Sequence, residues 1–324
     1  MAIPFPLGTA RRPLLPSRPM QPVRSLLIFF LAVFVGGALL APWLYWLAQW
    51  AAPHARWLED LARSPFHRFV TRSFLLVALL GTWPLLRALN VRSWNSLGLV
   101  RPAGQWSRFG GGFALGFGSL ACLALLALAF GARQFDDALG SKWVEKLPAI
   151  AATALVVAVL EEFLFRGILV GALKRVHGLK IALVGSSTTY AMTHFFQRVK
   201  FPEPVAWNSG LALLPQMASG FADVTLLLPG FLVLTLTGAT LALAFQRTGN
   251  LWFSIGLHAG WIFWLKSYNV ITDARPSAAA WFWGTGKLID GWLALFVVAA
   301  AAMAVVSWNL QPQPQTQALV ADER

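Results

Sequence analysis

Between Pro148 and Leu173 the chain carries formal charge at three positions only: Glu161, Glu162 and Arg166, within Val159-Leu160-Glu161-Glu162-Phe163-Leu164-Phe165-Arg166. The stretch is long enough to cross a bilayer as a helix, which takes about 20 mostly apolar residues. A charge at the bilayer centre costs at least a few kcal/mol, so such groups persist where they have both a partner and a task. This restricts the fold to a helical membrane bundle with a polar site inside it. Composition agrees, with 57% hydrophobic residues, 12% charged residues and a mean hydropathy of +0.61. The charged share is roughly half of the about 25% typical of soluble domains.

On the same length criterion the chain offers eight candidate spans: roughly 25–50, 73–89, 109–131, 148–173, 179–196, 224–246, 250–265 and 286–308. No period of 20–50 residues repeats and no long polar domain interrupts the spans, so the expectation is one all-α, polytopic bundle over 25–308. Residues 1–24, rich in proline and arginine, read as a flexible lead. A secretory signal peptide fits less well, because the apolar segment that follows is longer than a signal h-region. The Gln-Pro-rich stretch 309–324 reads as a solvated, disordered tail. The expected location is a multi-pass position in the plasma membrane of a bacterium.

The net charge of +13 raises the possibility of nucleic acid. Nucleic-acid binding needs a clustered basic patch, whereas these basic residues are scattered through loops between apolar spans. Lipid headgroups account for them, and no nucleic-acid partner is expected. With an inside N-terminus, eight spans put 13 Lys/Arg on the inner segments and 12 on the outer loops. The positive-inside rule does not decide on that margin. Arg11, Arg12, Arg18 and Arg24, in a lead without acids, favour both termini inside. Cys122 is the one cysteine, so no intrachain disulfide exists.

Beyond the Glu-Glu pair, the ionisable groups placed within spans are His194 and His258; His54, His67 and His177 are assigned to loops. At 1.5 Å rise per residue, Glu161 lies about 18 Å from the helix end near Leu173, and His194 lies about 22 Å in from Leu179. The two helices are antiparallel across a short loop, so these groups share one level. His258, about 12 Å along its helix from the same face, reaches that level if the helices tilt. A carboxylate and two imidazoles in a low-dielectric cavity can deprotonate a water and stabilise charge on a carbonyl. Glu162 and Arg166 are i,i+4 neighbours able to pair, which leaves Glu161, about 100° away, free to hold a water.

Blander roles compete with these. Glu162 with Arg166 suits a helix-fixing ion pair, and a single histidine in a span is more often hydrogen-bonding glue than a catalyst. The tryptophans read as interfacial belts and core. Asp223 and Asp290, near helix starts, read as caps.

The series Glu161-Glu162-x-x-x-Arg166, Tyr190-x-x-x-His194 and His258 resembles the CAAX protease and bacteriocin-processing family of intramembrane endopeptidases, which includes the Ras-converting CAAX prenyl proteases. The motif-bearing resemblance covers about 148–265. It implies that Glu161 activates water with His194, that His258 steadies the reacting carbonyl, and that Glu162, Arg166 and Tyr190 organise the site or the substrate's C-terminus. Two positions depart from the pattern. Tyr190 replaces a phenylalanine, and Ile262 stands where the third motif has an asparagine whose amide would serve the oxyanion. A metal-free glutamate protease is the favoured expectation. Zinc held by Glu161, His194 and His258 is the alternative, since two histidines and a carboxylate suit that ion with one position open.

The expected function is therefore intramembrane peptide-bond hydrolysis, on a protein or peptide substrate entering from the membrane, in contact with the lipid bilayer. A non-catalytic immunity or scaffold protein of the same fold is one alternative, kept open by Ile262. A transporter or proton relay is another, since buried ionisable groups also mark ion pathways.

Overall fold

The computed structural model describes residues 22–55, 58–136, 142–197, 199–201, 204–221, 224–275, 279–284, 289–308 and 310. Helices dominate, as the unbroken apolar runs require, because inside a bilayer each backbone N–H and C=O must be satisfied within its own segment. Helix α1 (Pro22–Leu31) passes through a π-helical turn (Ala32–Gly36) into α2 (Gly37–Ala51). After the short α3 (Glu59–Ala62) come α4 (Phe66–Ala88) and α5 (Trp106–Ala129). Helix α6 (Lys142–Glu162) continues through a π-helical segment (Phe163–Val170) into α7 (Gly171–Thr193). The chain then forms α8 (Ser209–Met217), α9 (Val224–Thr248), α10 (Trp252–Ile271), α11 (Ala280–Trp283) and α12 (Trp292–Ser307).

Among the described residues, five helical stretches are long and apolar enough to cross a membrane. The chain is a multi-pass helical membrane protein. These five stretches contain six of the eight spans expected. The segments 148–173 and 179–196 form one run, Trp143–Thr193, folded back at Gly178, whose φ of 77° breaks the helix. Gly178 adopts that left-handed conformation without a Cβ penalty. Helix α10 is less apolar because His258, its glycines and the Lys266-Ser267-Tyr268 end interrupt it, and α12 has only 16 residues.

Smaller expectations are also corrected. His67 lies in the first turn of α4 and His177 lies in α7 just before its break, not in loops. The N-cap of α12 is Gly291 rather than Asp290. Asp223 and the tail 309–324, apart from Leu310, lie outside the described residues, as does the lead up to residue 21. One antiparallel pair interrupts the all-α pattern. Strands β1 (Arg133–Phe135) and β2 (Thr272–Ala274) follow α5 and α10, whose ends emerge side by side.

Helix α10 is the centre of the bundle. It approaches α5 so closely that a Cβ on Gly112, Gly116, Gly256 or Gly260 would collide with a backbone carbonyl of the other helix. Paired Gly-x-x-x-Gly spacings of this kind let membrane helices meet through their backbones. Against its α6 side, α10 buries Ala259 beside Ala158. Leu120, Leu241, Leu257, Trp261 and Val298 then join α5, α9, α10 and α12 in the largest core cluster.

Charge divides the two ends of the bundle. The start of α1, the α4–α5 connection, the Gly178 bend and the α9–α10 link lie together, tied by Arg175 to the Leu89 carbonyl, Lys174 to Gln246 and Arg108 to the Thr248 carbonyl. This end carries Arg24, Arg87, Arg92, Arg101 and Arg108 from the first half of the chain, and Lys174, Arg175, Lys180 and Arg247 from the second. It carries no Asp or Glu among the described residues. The opposite end holds Glu59, Asp60, Asp136, Glu145, Asp273 and Asp290 among its own basic residues.

The α5–α10 contact makes a direct prediction. Gly256→Ala should lower stability by about 1–3 kcal/mol through overpacking, because its Cβ would meet the Phe109 carbonyl. Gly110→Ala, which faces open space, should leave stability unchanged or raised. Thermal unfolding in detergent compares the two.

Candidate active site

Glu162 ends α6, and its neighbours on three helices are set by the π-helical segment that follows. Glu162 Oε1 lies 2.9 Å from a guanidinium nitrogen of Arg166. The same oxygen lies 2.9 Å from Nδ1 of His258 on α10. All three side chains are buried, Glu162 completely. Arg166 also donates to the Gly238 carbonyl of α9 at 3.3 Å and stacks over the Tyr190 ring at 4.6 Å. Gly238 makes this possible by packing against the backbone of Ser187 on α7.

The partners determine where the imidazole protons sit. A carboxylate accepts only, so His258 Nδ1 carries its proton toward Glu162. His194 Nδ1 faces the Tyr190 carbonyl at 2.8 Å, so it too must donate. In the neutral form of either ring, these partners leave the lone pair on Nε2. His258 Nε2 lies 3.3 Å from the Tyr190 hydroxyl, which donates to it.

Both ε nitrogens turn toward Glu161. Its Oε2 is 3.9 Å from His194 Nε2 and 3.8 Å from His258 Nε2, and it has no hydrogen-bond partner of its own. The Tyr190 hydroxyl already satisfies His258 Nε2, so the open acceptors that meet here are Glu161 Oε2 and, in its neutral form, His194 Nε2, which repel unless a donor lies between them. The Glu161 and His194 side chains are about a quarter and a third exposed, at 26% and 32%. Both line a cavity of about 500 Å³ walled mainly by apolar side chains such as Phe29, Phe34, Phe74, Leu164 and Leu169, with Thr71 and Thr193. His258 and Tyr190 are buried behind them, at 3% and 2% exposure.

With this geometry in hand, comparison with known proteins gives one finding. Residues 143–264 match the family model described as Type II CAAX prenyl endopeptidase Rce1-like. That segment is similar to the CAAX protease family. The family is one of proteases, so the match supports a peptidase acting on peptide substrates at the membrane. No curated protein and no solved structure gives a match. The matched segment begins in α6 and ends in α10, and so contains Glu161, Glu162, Arg166, Tyr190, His194 and His258.

All six residues singled out from the family motifs meet in one place. Glu161, His194 and His258 converge as depth along the helices suggested, and Glu162 pairs with Arg166. Two features were not anticipated. Glu162 also holds His258, and the Tyr190 hydroxyl reaches the same imidazole. Neither is visible in i,i+4 spacing, because each joins residues 68 or more positions apart. Ile262, at the asparagine position of the family pattern, packs in the apolar cluster of Ala158, Leu251, Ile255 and Ala259.

A zinc ion held by Glu161, His194 and His258 would need these side chains closer together. Ligands at 2.0–2.1 Å in a tetrahedral shell stand about 3.4 Å apart, closer than the 3.8 and 3.9 Å found here. Among the described residues no group of three or more His, Cys, Asp or Glu side chains is arranged to hold a metal ion.

The buried network predicts an asymmetry in stability. Glu162→Gln leaves Arg166 buried without a counter-charge and should cost about 3–5 kcal/mol. Adding Arg166→Met should recover part of that loss, as a double-mutant cycle in detergent would measure. Tyr190→Phe removes one hydrogen bond, worth about 0.5–1.5 kcal/mol, and should lower the unfolding midpoint by only about a few degrees, far less than Glu162→Gln.

Proposed function

We propose that this protein is an intramembrane endopeptidase in which Glu161 activates the hydrolytic water. The observation that carries this reading is the convergence of Glu161 Oε2 with the ε nitrogens of His194 and His258 at the wall of a largely apolar cavity. A water supplies the donors that this meeting of acceptors calls for, giving one O–H to Glu161 and the other to His194. Such a site needs 2–4 polar partners, and these are present.

In this mechanism the water oxygen attacks the scissile carbonyl as Glu161 takes its proton. A C–O bond forms and the carbonyl electrons move onto oxygen. Glu161 then passes the proton to the amide nitrogen as the C–N bond breaks. Carboxylic acid and amine products result and the carboxylate is regenerated. General-base help of this kind is worth about 10²–10⁴-fold in rate.

His258 works from behind Glu161 rather than against the substrate. Its Nδ1–H is held by Glu162, and its Nε2 receives the Tyr190 proton. It can carry positive charge beside the oxyanion only as the doubly protonated ring, with Glu162 balancing that charge. Arg166 fixes Glu162, and its burial keeps it away from a substrate C-terminus. The position of Ile262 in an apolar cluster favours one second reading, a non-catalytic member of the same fold.

The decisive experiment is cleavage in proteoliposomes. Glu161→Gln keeps the shape of the side chain but cannot accept the proton. It should reduce turnover at least about 10²-fold with an unchanged unfolding midpoint. His194→Ala should act in the same direction. Turnover retained at the wild-type rate in Glu161→Gln would remove the general base. Absence of turnover in the wild type, against a broad set of apolar peptides, would favour the non-catalytic reading. Metal is tested separately by elemental analysis across preparations. The expected result is activity independent of zinc content, and activity that follows zinc and returns on its addition would replace the water-only mechanism.

A further inference from the structure

The charge asymmetry between the two ends of the bundle is used neither by the peptidase site nor by the fold. At the end formed by the α4–α5 connection and the Gly178 bend, Arg24, Arg92, Arg101, Lys174, Arg175 and Lys180 are all exposed. No Asp or Glu accompanies them among the described residues. Of the eight acids described, Glu161 and Glu162 are inside the bundle and the other six are at the opposite end. An acid-free cationic surface repels itself, so its retention calls for an external anion.

A second, independent feature places that surface at a membrane boundary. Trp83, Trp94, Trp106 and Trp308 are exposed at this same end, at 59%, 57%, 64% and 44%. Exposed tryptophans mark the headgroup level of a bilayer, where one edge of the ring is apolar and the N–H is wet. Arg87 stacks on Trp83 at 4.8 Å, which sets a guanidinium at that depth. Lysine and arginine heads at this level meet lipid phosphates, each worth about tenfold or less in retention at moderate salt.

We propose that this acid-free end of the bundle is a binding surface for anionic phospholipid headgroups and faces the anionic leaflet. The mixed-charge end, where His194 closes α7, then faces the other side of the membrane. The proposal stands apart from the peptidase reading, since none of these residues is among those that line the cavity.

The test uses the full chain in neutral detergent micelles titrated with phosphatidylglycerol or phosphatidylcholine, read as the thermal unfolding midpoint. One variant changes Arg92, Arg101, Lys174 and Lys180 to Gln. A control changes Arg68, Lys146, Lys200 and Lys266, which are exposed at the opposite end, to Gln. Wild type and control should show a rise in midpoint with phosphatidylglycerol, none with phosphatidylcholine, and a smaller rise in high salt. The Arg92/Arg101/Lys174/Lys180 variant should unfold slightly below wild type without lipid, because Lys174 loses its hydrogen bond to Gln246, yet need at least about tenfold more phosphatidylglycerol for the same rise above its own lipid-free midpoint. Equal losses in both variants would reduce the effect to net charge and overturn the proposal. So would an absent response in wild type, or the same rise produced by inorganic phosphate alone.

Discussion

A buried carboxylate shared by an arginine and a histidine holds this site together. Glu162 accepts from His258 on one oxygen and faces Arg166 with the same oxygen, and none of the three side chains meets solvent. Removing any one of them leaves an uncompensated polar group in low dielectric, so α6 with its π-helical continuation must meet α10 at one level. Isolated buried pairs are often no better for stability than apolar replacements. Here the arrangement has a geometric consequence: it turns His258 so that its Nε2, rather than Nδ1, faces Glu161.

The backbone makes that meeting possible in two ways. Glycines on α5 and α10 bring those helices into contact through their backbones, which seats α10 deep enough for His258 to reach α6. The segment after Glu162 is π-helical rather than α-helical. Such segments are uncommon and concentrate at functional sites, because the wider turn re-aims side chains that an α-helix would leave elsewhere. Arg166 and Phe165 lie in that segment, with Arg166 stacked over Tyr190 and Phe165 edge-on to it at 5.3 Å.

Much of this was legible in the amino-acid sequence, for physical reasons. An apolar run broken by Glu161, Glu162 and Arg166 admits few folds, and counting residues along antiparallel helices was enough to place Glu161 and His194 at one level. The spacing of Glu162 and Arg166 already indicated their pairing. The dual role of Glu162, the reach of the Tyr190 hydroxyl and the burial of His258 were not legible, because contacts between distant helices leave no periodic trace. The Gly112/Gly116 and Gly256/Gly260 spacings were a usable signal for close helix packing. They bear on the site only once α5 and α10 are known to be neighbours.

The orientation of the bundle shows the same limit from another side. Counts of Lys and Arg on the two sides are nearly equal, 13 against 12, so the usual rule had nothing to decide on. The difference lies in the acids, which occupy one end and are missing from the other among the described residues. Acids weigh little when a helix is inserted, yet they decide the field that the folded protein presents to a headgroup layer. A surface with nine cations and no anion among its described residues attracts phosphate; one with similar cations and six acids largely cancels itself within a Debye length, about 8–10 Å in physiological salt. Insertion and surface recognition therefore read different features of one charge pattern, and only the second distinguishes the two ends of this bundle.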